Sequence, residues 1–100
     1  MPARAPRSDA PPAHESSACK EVRQSASDAR ERYEWKALLA ASSRASCWRS
    51  RSDALRLRVK ALMELGQFTE CADAVARDKT RDAELARFGE LCRRRLAGPA

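Results

Sequence analysis

With three glycines, five aromatic residues and one histidine among 100 residues, the chain lacks the parts of most catalytic devices. There is no glycine-rich phosphate loop. The single histidine, His14, falls in a proline-rich stretch, and no paired carboxylates lie in an apolar setting, so nucleophilic, acid–base and phosphoryl-transfer chemistries find no constellation to work with. No apolar run approaches the roughly 18 residues that a membrane-spanning helix needs. Arg4 and Arg7 near the start are not followed by an apolar segment of the kind that marks an export signal, so a cytoplasmic location is the expectation. Runs of β-branched or aromatic residues are also missing, which removes the usual signature of strands.

Alanine fills much of that space. Twenty alanines account for nearly half of the 43% hydrophobic content, and alanine is the best helix former while burying little apolar area. The class is therefore all-α, with a core of modest strength. Four cysteines, Cys19, Cys47, Cys71 and Cys92, are spaced by 28, 24 and 21 residues, without the close pairs that a zinc site needs, and no cofactor or metal is implied. Each falls at a half-buried helical position, where free cysteine behaves as a small hydrophobe. Four buried thiols are the favoured expectation, and two disulfides the alternative. Cys47, between Arg44 and Arg49, is the one thiol whose basic neighbours favour reactivity.

The formal net charge is +6, supplied mostly by sixteen arginines. Between Arg44 and Lys60, six cations face Asp53 alone, whereas the remaining helices mix signs as solvated helices do.

Along the chain, residues 1–14 hold four of the five prolines and read as a disordered tail ahead of a helical module over 15–97. Helices are expected at about 15–32, 34–46, 53–65, 68–77 and 82–96. The first carries a thin stripe of Ala18, Val22, Ala26, Ala29 and Tyr33. The second presents Trp35, Leu38, Leu39 and Ser42. Ser50 or Ser52 is placed to cap the third helix, and Thr80 or Asp82 the fifth, which buries Leu85, Phe88, Leu91 and Cys92. The third helix is apolar on two faces, Leu55-Val59-Leu62 and Ala54-Leu57-Ala61-Leu65, so contact from two sides is expected. It ends at Gly66, where a residue of positive φ is wanted.

Sliding the sequence on itself by 35 residues aligns Tyr33 with Phe68 and Ala37 with Ala72, whereas a slide of 33 aligns Trp35 with Phe68 and Leu38 with Cys71. Either period suits a helix-turn-helix repeat. The stretch Leu55 to Val75 resembles a tetratricopeptide repeat. Leu55 stands at the bulky opening position, Leu62 seven further on, and Leu65-Gly66 at the turn, followed by Phe68, a small Cys71 and Val75. Arg58, Val59, Asp78 and Ala83 depart from the family's preferences. The resemblance implies an antiparallel hairpin bundle with 82–96 as a capping helix.

It also implies a non-catalytic protein–protein interaction or scaffold module. Its concave face would carry Arg56, Leu57, Lys60 and Met63, with Asp53 and Glu64 beside them, and Arg56 with Lys60 would hold a carboxylate of an acidic peptide. The rival is a nucleic-acid module using Arg44, Trp48, Arg49 and Arg51 for phosphate contact and stacking. Self-association is the third reading. A DNA-reading helix-turn-helix fits less well, because Ala61 lies five rather than four residues before Gly66. Arg93-Arg94-Arg95 suits the negative end of a helix dipole as well as it suits phosphate.

Overall fold

The computed structural model describes residues 15–78 and 82–98, so the tail expected at 1–14 and the alternative cap Thr80 lie outside the described residues. The chain is all-α. Five helices follow one another: α1 (Ser17–Glu31), α2 (Trp35–Ser42), α3 (Arg51–Glu64), α4 (Phe68–Ala76) and α5 (Ala83–Ala97). A single 3₁₀ turn (Ala45–Cys47) separates α2 from α3, and no strand occurs among the described residues. Consecutive helices pack as antiparallel hairpins, and α3 touches α2, α4 and α5.

Local chemistry sets the boundaries. Ser16, Ser50 and Asp82 accept hydrogen bonds from the backbone N–H of Cys19, Asp53 and Leu85, which fixes the starts of α1, α3 and α5. The helix expected over 34–46 stops at Ser42. There the Ser42 and Ser43 hydroxyls donate to the Leu39 and Ala40 carbonyls (2.8 and 2.6 Å), and the Ser43 and Arg44 N–H groups take three-residue bonds that tighten the last turn.

Both hairpin turns share one geometry. After α3, Gly66 takes φ 76°, its N–H donates to Met63 and that of Gln67 donates to Leu62. After α1, Tyr33 takes φ 60°, its N–H donates to Arg30 and that of Glu34 donates to Ala29. These are two Schellman caps 33 residues apart. Of the two slides, that of 33 superposes the turns, and it brings Trp35 onto Phe68 at the start of the second helix of each hairpin. No glycine marks the first turn, because a tyrosine, 75% exposed, occupies its left-handed position.

Two apolar clusters lie on either side of α3. Val59 and Leu62 join Cys71, Leu85 and Cys92, with Leu55, Phe68, Val75 and Phe88 packed around them. Ala61 joins Ala26, Ala29 and Leu38, with Trp35, Trp48 and Leu57 at the border, and Leu39 touches both groups. Ala18, expected in the α1 stripe, is exposed, and Cys19 is buried in its place. Leu91, expected on the buried face of α5, is 40% exposed, and the inward position is taken by Gly89. A Cβ on Gly89 would stand 2.7 Å from Val75 Cγ1, so the α4–α5 crossing depends on this glycine.

The cysteines correct the expectation of buried thiols. Cys19 bridges to Cys47 and Cys71 to Cys92, with Cα atoms 4.8 and 6.2 Å apart, and no cysteine is free. The spacing hides this pairing because the partners meet only after the hairpins fold, α1 against the 3₁₀ turn and α4 against α5. Cys47 is accordingly no reactive thiol.

Replacing Tyr33 by Gly should raise stability by about 1 kcal/mol, since a non-glycine residue in the left-handed region is strained, and Gly66→Ala should lower it by a similar amount. Urea titrations of the two variants measure this. Equal and opposite shifts are expected, whereas a loss in both would mean that the Tyr33 ring is what holds the first turn.

Candidate functional site

The first helix of each hairpin and the terminal helix face one open groove of about 520 Å³. α1 supplies Arg30, α3 supplies Asp53, Arg56, Leu57 and Lys60, and α5 supplies Glu84 and Phe88, with Trp48 closing the wall before α3. Residues 53, 56, 57 and 60 fall three or four apart along α3, so they share one helical face, and that face looks into the groove.

Of the residues singled out for partner contact, Arg56, Leu57 and Lys60 line this groove together. Met63 does not line it, but packs against the Val59–Leu62 cluster. The Arg56 guanidinium is already engaged: it donates to Asp53 on its own helix and to Asp82, and lies 3.5 Å from Glu84. Asp82 serves twice, because one carboxylate oxygen caps α5 through the Leu85 N–H while the other receives Arg56. This arrangement ties the start of α5 to α3 and forms a fixed end to the groove. Lys60 bonds Glu64 at 2.9 Å and stands 5.7 Å from the Trp35 ring centre, so its ammonium is held rather than swinging.

Arg30 and Glu84 are groove residues that the sequence did not single out, and Phe88, expected on the buried face of α5, is half-buried and lines the groove as well. Arg30 and Glu84 are exposed positions and Phe88 packs at the edge of the main cluster, and only the stacking of α1 and α5 beside α3 brings them to the face that carries Leu57. Arg30 lies in the last turn of α1, where a cation also suits the helix dipole, and it makes no ion pair among the described residues.

The residues considered for nucleic acid are not one surface. Arg44 and Arg49 are exposed around the 3₁₀ turn, and Arg51 lies on the opposite face, in a second groove with Arg58 and Arg77 against Glu70, Asp73 and Asp78. Trp48 is half-buried against the alanine cluster, and its ring N–H donates weakly to the Ala41 carbonyl at 3.4 Å, so part of the ring is taken up by packing while part lines the first groove. Arg95 stands over Phe68 at 5.1 Å and Arg94 pairs with Glu90, which accounts for two of the three terminal arginines.

Among the described residues no group of three or more His, Cys, Asp or Glu side chains could hold a metal ion, and no helix is long and apolar enough to cross a membrane. No protein-family model, no curated protein and no solved structure matches the chain.

The double use of Asp82 gives a measurable separation. Asp82→Asn keeps a capping oxygen and loses the charge, and should cost under about 1 kcal/mol, as partly exposed ion pairs do. Asp82→Ala loses the cap as well and should cost about 1–2 kcal/mol. Equal losses in chemical denaturation would assign the effect to the Arg56 pair instead.

Proposed function

We propose that this chain is a non-catalytic interaction module that binds a peptide segment of a partner protein in the groove between α1, α3 and α5. The observation that carries this is the convergence of three non-consecutive helices on one open groove lined by both apolar and charged side chains. Leu57, Phe88 and the edge of Trp48 offer apolar contact, and the walls supply fixed hydrogen-bonding groups, the mixture that peptide grooves use.

A tetratricopeptide-like character is part of the same proposal. Its support is the pair of hairpins with Schellman turns 33 residues apart, in the range of helical-hairpin repeats, with the groove on the side formed by the first helix of each hairpin. An oxidising compartment replaces the cytoplasm in this proposal. Its support is the two disulfides, since cytosolic thiol systems keep such pairs reduced. Nucleic-acid binding stays as the second reading on the strength of Arg44 and Arg49, exposed and without an ion pair among the described residues. It would rest mainly on phosphate attraction, because Trp48 packs partly against the alanine cluster and lies apart from Arg51.

Random linear peptides displayed against the intact, disulfide-bonded chain test the proposal, with hydrogen exchange mapping where the selected peptides sit. Protection at the groove-facing turns of α1, α3 and α5 is expected. Protection confined to the second groove, or no selection at all, would contradict it. Retention on heparin beyond about 0.2 M salt would favour the nucleic-acid reading.

A further inference from the structure

The groove is not uniformly basic, although the chain carries a net charge of +6. At the start of α3 and α5, Asp53, Asp82 and Glu84 surround the single guanidinium of Arg56, so three carboxylates meet one cation and that end keeps an excess of negative charge. One turn further along α3 comes Lys60, which shares the groove with Arg30. Arg30 belongs to this end because its neighbour Ala29 packs against Ala61, the neighbour of Lys60. Lys60 is partnered by Glu64, but Arg30 has no ion pair among the described residues, so this end keeps an excess of positive charge. Leu57 and Phe88 lie in the same groove, with Trp48 at its wall. The opposite groove has no such imbalance, since Arg51, Arg58 and Arg77 are matched in number by Glu70, Asp73 and Asp78.

We infer, on the premise that this groove binds a peptide, that its occupant is a bipolar segment. An acidic residue meets Arg30 and Lys60, an apolar side chain rests on Leu57 and Phe88, and a basic residue meets Glu84 and Asp53. Charge complementarity sets this order. Arg30 can engage a carboxylate with two parallel N–H bonds, whereas Arg56, the cation nearest the middle of the groove, has its donors directed at its own chain. A uniformly acidic segment would bring like charge against the Asp53–Asp82–Glu84 end, and a uniformly basic one would do so at Arg30. Each is rejected by one wall, and repulsion of this kind often decides specificity.

The test is the residue pattern of display-selected linear peptides, read on the intact oxidised chain and on Arg30→Glu and Glu84→Lys. Both substituted residues are exposed, and thermal melts establish that the variants fold. Peptides from the unaltered chain should carry an acid and a base flanking an apolar residue. Arg30→Glu should weaken a selected peptide by about ten-fold or more, as loss of a hydrogen bond to a charged group does, and should reselect peptides with a base in place of the acid. Glu84→Lys should do the converse at the other end. Selected peptides that protect the groove but show no charge order, or bind both variants as well as the parent, would overturn the bipolar occupant while leaving groove binding intact. Failure to select any groove-bound peptide would overturn both.

Discussion

Two disulfides carry what the side chains of this protein cannot. Among the seven largest fully buried side chains of the described residues, three are cysteines, and only Leu38, Leu62, Leu85 and Val59 are aliphatic. A core with so few large residues stabilises a chain of this length weakly. Each cross-link shortens the freedom of the unfolded chain by closing loops of 28 and 21 residues, which the chain-entropy account values at about 3 to 4 kcal/mol apiece. Their placement matters as much as their number. Cys71–Cys92 crosses the main cluster, joining α4 to α5. Cys19–Cys47 fastens α1, whose own contribution to burial is Ala26, Ala29 and a half-buried Val22, to the turn that leads into α3. The Arg23 side chain, bonding the Cys47 carbonyl at 2.8 Å, supports the same seam.

With its ends fastened, the molecule is organised around α3. One face of α3 packs on α4 and α5, the next on α1 and α2, and the third, carrying Arg56, Leu57 and Lys60, looks into the groove. The groove therefore inherits its geometry from the same helix that divides the core. Asp82 extends this coupling, because capping α5 and pairing with Arg56 are done by one carboxylate, so the wall of the groove cannot shift without uncapping a helix.

Much of this fold is legible in the sequence, and the rest fails for identifiable reasons. The period of three to four apolar residues finds all five helices, and the two-faced pattern of α3 marks it as central. Gly66 announces the second hairpin turn. The first is announced by nothing, because Tyr33 adopts a conformation that its side chain disfavours, and only the backbone hydrogen bonds distinguish the slide of 33 from that of 35. The disulfides are illegible because pairing is decided by the meeting of helices far apart in sequence. The groove is half legible. Its α3 side follows from helical spacing, but Arg30, Glu84 and Phe88 depend on how α1 and α5 stack, and the engagement of Arg56 depends on an aspartate 26 residues away.

Under the proposed function, two cross-links would limit the freedom that an alanine-rich bundle loses when a flexible segment binds. The claim on which this rests is the pairing of the cysteines. Peptide mapping of the unreduced protein, followed by thermal melts before and after reduction, tests it most directly. Cys19–Cys47 and Cys71–Cys92 fragments, with a cooperative transition that is lost or moves sharply downward on reduction, are the predicted result. Four alkylatable thiols in the folded protein, or a melt indifferent to reductant, would contradict it.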